Sequence, residues 1–508
     1  MDYATRREAM VAALRERQEI SERVAAALFA VPRHLFVPGV DPEHAYRDEP
    51  IVTKRDEEGR PISSSSQPAI MASMLDQLGV EPGHRVLEIG AGTGYNAALL
   101  ARLAGPGGHV VSVDLDDDIV AQARSHLSAA GVPGPGQAGV EVVCADGADG
   151  FPGWAPYDRL IATVGVWDLA PAWLAQLGPG GRLVMPLDLR GVQASVAMER
   201  ATERATERDP ERATERDPDR DPERDPERDM ARAMDRAGGH WVSRSVVPCG
   251  FMRMRGPFAG PEVSVVLRED PGLMLSLPGP REIGDVLAAL DATPVQVAIE
   301  GEDLLSSMMA STTMGTATGM AISLWLTLRE PRWCTLSGKL GRGYGMTVGL
   351  VEGDGIALLM ADGPLVARGY GPGGAGLASD LAAHITAWDH AGRPDTSTLR
   401  IEAYPRPAPG GEPGQGPVPG GEAYPRPVPG GEPGQGPVPG GEAYPRPVPG
   451  GESGQGAVPG GESGQVSAPG GEPAEGPGLG GAAGPGFVAG GWIVIEKRHT
   501  DLVVHFPG

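Results

Sequence analysis

Apolar residues recur along this chain at two spacings, and where one gives way to the other marks its elements. Residues 5–30 place Ile20, Val24, Ala27 and Leu28 at helical intervals. From Arg85 onward short apolar runs alternate with helical ones. The pattern predicts strand 85–89, a glycine turn, helix 95–103, strand 109–114, helix 118–130, strands 140–145 and 159–164, helix 170–177 and strand 182–186. Buried apolar strands alternating with helices imply an α/β fold, a parallel sheet covered on both faces. Two further strand-like runs, 193–198 and 241–254, predict an antiparallel hairpin at the edge of that sheet.

Beyond Gly256 the rhythm changes. Short strands at 262–267 and 295–299, a helix at 283–290, a second helix at 377–390 and strands at 398–404, 492–496 and 502–506 predict an α+β domain. Methionines at 308, 309, 314 and 320 read as core filler, because a flexible thioether packs irregular gaps. The expected organisation is thus a first domain over 1–255 and a second over 256–508.

Two segments interrupt this pattern. Over 200–236 an arginine recurs at every fourth position, in units such as Ala201-Thr202-Glu203-Arg204. The Glu/Arg spacing would suit a charged helix, but Pro210, Pro218, Pro222 and Pro226 break it. Over 405–486 a twenty-residue Pro/Gly/Glu unit repeats, first from Glu402 to Gly421 and again from Glu422 to Gly441. With almost nothing apolar to bury, both read as disordered, low-complexity insertions in surface loops. They account for much of the chain's 77 glycines and 51 prolines, and the rest of its 508 residues suffices for two cores.

Charge and cysteines narrow the class. A net charge of -23 argues against a nucleic-acid partner. Cys144, Cys249 and Cys334 are far apart and form no CxxC pair, so neither a disulfide framework nor a zinc site is expected. The ten histidines form no HxxxH or HExxH pattern, and no metal is expected. Cys144 is expected to pack on a buried strand. Residues 1–18 lack an apolar signal core, and the longest apolar run, 319–328, is too short to span a membrane. The chain therefore reads as cytoplasmic, without a membrane partner.

The chemistry concentrates in Val86-Leu87-Glu88-Ile89-Gly90-Ala91-Gly92-Thr93-Gly94-Tyr95. An apolar strand enters alternating glycines and a helix follows at once. Such a turn lets a ligand approach the backbone, and the helix start offers free N–H donors. Dinucleotide enzymes use a similar loop, but with GxGxxG spacing rather than GxGxG. Asp114 ends the next strand, where a carboxylate can accept from both ribose hydroxyls of an adenosine. Asp146 ends the one after, placed to face an adenine amino group. Three such features at consecutive strand ends, where open α/β sheets bind ligands, point to an adenosine-bearing cofactor.

The glycine loop resembles motif I of class I S-adenosylmethionine-dependent methyltransferases. The first two hundred residues are similar more narrowly to the protein-L-isoaspartate O-methyltransferase family. That resemblance runs through Val31-Pro32-Arg33-His34-Leu35-Phe36-Val37-Pro38, Ala45-Tyr46-Arg47-Asp48, Ile62 through Pro68 with Ala72, Asp146-Gly147, and Leu177-Gly178-Pro179-Gly180-Gly181-Arg182-Leu183-Val184. It covers residues 10–254 apart from the arginine-rich insertion. It implies a Rossmann-like methyltransferase sheet, S-adenosylmethionine held by Glu88, Gly90, Gly92, Gly94, Asp114 and Asp146, and a peptide or protein substrate carrying isoaspartate or aspartate. In Ser66-Gln67-Pro68 it implies a hydroxyl that orients the substrate carboxylate, from Ser66 or from its neighbour Ser65, since four serines stand in a row. A carboxylate ionised at neutral pH needs no general base, so alignment and a dry pocket would carry catalysis.

Two departures from the family pattern stand out. Gly165-Val166-Trp167-Asp168 replaces the small residues and proline that the family carries after strand 159–164, which would reshape the substrate pocket. The domain beyond Gly256 is absent from compact repair enzymes, whereas similar long forms act on ribosomally made peptides, methylating an aspartate that then closes to an aspartimide. Repair of isoaspartyl damage and dedicated aspartate methylation both remain open. A non-catalytic peptide-binding module is a third reading, against which the intact glycine loop and both acids argue. Arg342 and Tyr344, in a glycine-rich turn, are candidates for touching a peptide, and His34 is read as structural.

Overall fold

The computed structural model describes residues 2–57, 59–134, 139–201, 239–261, 263–270, 272–299, 317–340, 343–361, 365–406 and 492–506. Nearly all of the arginine-rich insertion, the Pro/Gly repeats beyond Arg406, Met308, Met309 and Met314, Arg342 and the side chain of Tyr344 lie outside it.

Helices α1 (Tyr3–Arg17), α2 (Glu22–Ala30) and α3 (Pro42–Ala45) precede a hairpin of β1 (Ile51–Arg55) and β2 (Pro61–Ser65) and then helix α4 (Pro68–Leu78). Local sequence explains their ends. Asp2 and Ser21 cap α1 and α2 through the N–H groups of Thr5 and Val24, Pro68 opens α4, and Gly79 closes it in the left-handed region at φ 59°. The regular alternation follows: β3 (Arg85–Ile89), α5 (Tyr95–Ala104), β4 (His109–Asp114), α6 (Asp117–Ala129), β5 (Val140–Cys144), β6 (Tyr157–Ala162), α7 (Pro171–Gln176) and β7 (Leu177–Asp188). Asp117 and Asp118 in the first turn of α6 complement its dipole.

These strands pair in the order β5-β4-β3-β6-β7, all parallel, with β3 facing β4 from Arg85↔His109 to Ile89↔Val113. Successive strands lie to one side of β3 and then to the other. The crevice at that reversal is where an open α/β sheet takes its ligand. The fold is Rossmann-like, as expected. β8 (Gln193–Arg200) and β9 (Trp241–Pro248) form the antiparallel hairpin on β7.

Past that hairpin the sheet continues. β17 (Arg400–Pro405) pairs with β9 through Glu402↔Val242 and Ala403↔Trp241, and β19 (Thr500–His505) and β18 (Trp492–Glu496) follow, making ten strands. Three strands from beyond residue 256 thus join the first sheet, because the outer edge of β9 offers unpaired backbone to an apolar partner. The turn between β18 and β19 is fastened to the first sheet. Buried Asp168 accepts from the His499 N–H at 2.6 Å, and the buried Lys497 ammonium donates to the Asp188 carbonyl at 2.9 Å. The Gly165–Asp168 departure is therefore an anchor for the C-terminal strands.

The remaining strands form a second, antiparallel sheet in the order β10-β11-β13-β14-β15-β16-β12, comprising Ser264–Arg268, Leu273–Ser276, Trp333–Leu340, Gly343–Glu352, Gly355–Met360, Val366–Tyr370 and Val295–Ala298. Helices α8 (Val286–Leu290), α9 (Ala317–Arg329) and α10 (Gly374–His390) complete an α+β arrangement. One apolar core runs from Leu87 and Leu160 of the first sheet and Trp173 of α7 through Ile322 and Trp325 of α9 to Leu350 and Trp388. Cys144 ends β5 exposed rather than packed, because β5 is the last strand of its sheet.

Candidate active site

A cleft of about 840 Å³ opens at the C-terminal ends of the parallel strands. Its floor is the turn from β3 into α5. Gly90 adopts φ +98°, its N–H donates to the Val113 carbonyl at 2.8 Å, and its carbonyl accepts from Thr163 Oγ1 at 2.7 Å. A Cβ there would stand 2.8 Å from Thr163 Oγ1 and 3.0 Å from Val164, so no larger residue fits. Gly92 and Gly94 also have positive φ, at 51° and 83°, and Gly94 caps α5. The His126 ring steadies the turn through the Thr93 carbonyl at 3.0 Å.

Asp114 and Asp146 flank this floor at the ends of β4 and β5. The Asp114 carboxylate accepts from the Gly92 N–H at 3.0 Å, which draws the glycine turn to the strand end. Asp146 accepts from the Ala148 N–H at 2.9 Å and starts a short 3-10 turn. The Ala145 N–H bonds the Asp114 carbonyl at 3.0 Å and keeps the two acids together. Both line the cleft with carboxylate lone pairs to spare.

Glu88 sits deeper. It is fully buried under the loop, with one oxygen accepting from Asn96 at 2.7 Å and the other from Ser112 at 2.5 Å. Burial pushes its carboxyl up to about 7, while those two hydrogen bonds pull the other way. Its place is beneath the turn, clamping β4 to the first turn of α5.

The opposite wall is the serine run. The Ser64 carbonyl would lie 3.3 Å from a Cβ on Gly92, which puts β2 directly over the glycine floor. Ser65 Oγ is buried without a hydrogen-bond partner among the described residues, and Ser66 lines the same cleft half-buried. What fixes this run is Arg33. Its guanidinium is completely buried and donates to the carbonyls of Ala45 (2.8 Å), Glu49 (3.1 Å), Ser65 (3.4 Å) and Ser66 (3.0 Å). Burial lowers its pKa from the ordinary guanidinium value. The sequence shows Arg33 only as part of an ordered motif; its reach to the serines appears with the fold. His34 stacks on Tyr3 and bonds the Tyr46 hydroxyl at 2.7 Å, outside the cleft lining.

Residues 248–255 close the far side. Arg255 reaches Asp116 at 2.9 Å, and Lys54 of β1 reaches the same carboxylate at 2.9 Å. Burial opposes ionisation of Asp116, but the bonds from Arg255 and Lys54 hold its carboxyl below the ordinary value. An outer wall comes from the second sheet and α9, through Met320, Ser323, Trp333, Thr335 and Met346. Nothing in the sequence placed these five at the cleft.

Buried polar atoms at the lining lack hydrogen-bond partners among the described residues: Ser65 Oγ, the Tyr95 hydroxyl and Asn96 Oδ1. With two accepting carboxylates and a tight glycine turn, they suit a polar, adenosine-bearing molecule. Among the described residues no group of three or more His, Cys, Asp or Glu side chains could hold a metal ion, and no helix is long and apolar enough to cross a membrane.

A family model described as protein-L-isoaspartate(D-aspartate) O-methyltransferase matches residues 5–214. A protein-L-isoaspartate O-methyltransferase of Methanopyrus kandleri is 41% identical over 180 residues, spanning 35% of this chain and 75% of the relative. One of Methanoculleus marisnigri is 45% identical over 177 residues, or 35% and 74% of the two chains. A solved protein-L-isoaspartate O-methyltransferase structure aligns over 78% of this chain and 96% of its own, at 22% identity and TM-score 0.40.

Proposed function

This chain belongs to the protein-L-isoaspartate(D-aspartate) O-methyltransferase family, and from that premise we propose that it moves a methyl group from S-adenosylmethionine to an isoaspartyl or aspartyl carboxylate of a peptide or protein. The observation that carries the reading is one cleft in which a serine run stands directly over a glycine turn flanked by two strand-end carboxylates. Asp114 would accept from the ribose hydroxyls and Asp146 from the adenine amino group. Gly90, Gly92 and Gly94 let the backbone approach, and Glu88 holds the turn from beneath. When bound, the cofactor supplies an electrophilic methyl sulfonium.

The chain's own residues align the acceptor and keep it dry. Ser66 or Ser65 donates its O–H to one carboxylate oxygen and leaves the other free to attack, and no proton needs to move. Arg33 fixes both serines by their carbonyls, so their hydroxyls remain available. Residues 1–255 carry the transfer chemistry in this reading, and those beyond 256 supply the outer wall. That wall favours a second, narrower reading: aspartate methylation of a dedicated ribosomally made peptide, followed by attack of a backbone nitrogen on the ester, loss of methanol and aspartimide formation. Its residues lie outside the 5–214 family match and would contact the acceptor's neighbours.

Calorimetry with S-adenosylhomocysteine, paired with kinetics of Ser65→Ala and Ser66→Ala, tests the proposal. The expected result is saturable binding to wild type and a loss of kcat/KM of about tenfold or more in one alanine variant, with binding of S-adenosylhomocysteine intact. Absence of binding would overturn it.

A further inference from the structure

The charged groups lining the cleft have partners, with one exception. Glu88 is engaged by Asn96 and Ser112, Asp114 by Gly92, Asp146 by Ala148 and Arg255 by Asp116. Arg253 lines the same cleft half-buried, and its guanidinium has no hydrogen bond or ion pair among the described residues. Its backbone is held firmly. Residues 252–254 bridge to Gly165, whose N–H donates to the Met252 carbonyl at 2.7 Å and whose carbonyl accepts from the Met254 N–H at 2.8 Å.

Position gives this cation a meaning. Gly165 follows β6, on the opposite side of the glycine turn from Asp114 and Asp146, which end β4 and β5. The cofactor's adenosine belongs on the β4–β5 side, which leaves the β6 side to the acceptor. Lys497, itself tied to Asp188, is a second cation that interacts with Arg253 and lends it no compensation. A half-buried guanidinium kept without a counter-ion is costly unless an anion arrives to meet it.

We propose that Arg253 receives the acceptor carboxylate and makes the site select a carboxylate over a neutral amide. This inference rests on the carboxyl methyltransferase reading. The guanidinium joins the serine hydroxyl on one acceptor oxygen and the other forms the new O–CH3 bond, while the S–CH3 bond breaks and its electron pair remains on sulfur. The product ester is neutral, so the ionic contact disappears with turnover and release is favoured. Because Arg donates and never accepts, an asparaginyl isostere offers it only a neutral carbonyl oxygen, forms no ion pair, and turns an NH2 that cannot accept toward the same donors.

The test uses the full chain saturated with S-adenosylhomocysteine. Calorimetry measures an acidic peptide that wild type methylates against the same peptide with the matching amide. Wild type is expected to bind the acid at least about tenfold more tightly. Arg253→Gln should bind acid and amide alike, with affinity for S-adenosylhomocysteine unchanged, and Arg253→Lys should restore part of the preference. A retained preference in Arg253→Gln would overturn the inference. So would weakened binding of S-adenosylhomocysteine itself, which would put the guanidinium on the cofactor's carboxylate. Wild type that binds S-adenosylhomocysteine yet methylates no acidic peptide would instead sink the functional reading, and this inference with it.

Discussion

Glu88→Gln offers a quantitative test of how the glycine turn is built. The folded protein raises the Glu88 carboxyl from 4.5 to about 7, mainly by burial. Below pH 4.5 both folded and unfolded chains hold its proton, and the group costs nothing. As pH rises toward 7 the unfolded chain ionises first, so the folded state loses stability relative to an uncharged isostere, and beyond 7 the loss is constant. A change from 4.5 to about 7 corresponds to roughly 3 kcal/mol. Glutamine keeps the shape and can still accept from Asn96 while its amide donates to the Ser112 hydroxyl. Urea unfolding of both proteins at pH 5 and pH 8 reads the difference. Glu88→Gln should gain about 2–3 kcal/mol on wild type between those pH values. A difference that stays flat would refute the buried environment, without a counter-charge, assigned to Glu88.

Other substitutions probe the rest of the site. Gly90→Ala should destabilise by about 2 kcal/mol or more in urea unfolding, from positive φ and the contact with Thr163, and should abolish the thermal shift with S-adenosylhomocysteine. Asp114→Asn should weaken S-adenosylhomocysteine about tenfold by calorimetry, since a charged acceptor becomes an amide. Arg33→Met removes the donors that hold Ser65 and Ser66, so kcat/KM should fall further than affinity for S-adenosylhomocysteine, with a stability loss of about 3 kcal/mol.

The methyl-transfer half was readable because its physics is local. Strands such as Val86–Ile89 and Val110–Val113 are apolar but for Glu88 and Ser112, each is followed by a helix, and the glycine turn occupies a fixed place between them. The hairpin of β1 and β2 was harder to see, because Ser63–Ser66 resembles a polar loop until Arg33 gathers its carbonyls. Strands β13 and β14 escaped because Gly338, Gly343, Gly345 and Gly349 interrupt any clean alternation. The pairing of β17 with β9 joins residues about 160 positions apart, beyond the reach of periodicity. Arg253 carried no local signal either, since its place depends on a bridge to Gly165.

The central claim is transfer of a methyl group to a carboxylate, and mass spectrometry of two matched peptides tests it most directly. One peptide contains aspartate and the other isoaspartate, each incubated with the full chain and S-adenosylmethionine. The account predicts a gain of one methyl group on at least one of them, located on the acidic residue, followed by loss of methanol. Neither peptide gaining a methyl group, with cofactor binding demonstrated in the same sample, would contradict transfer to general aspartyl or isoaspartyl acceptors and leave only the dedicated-peptide reading.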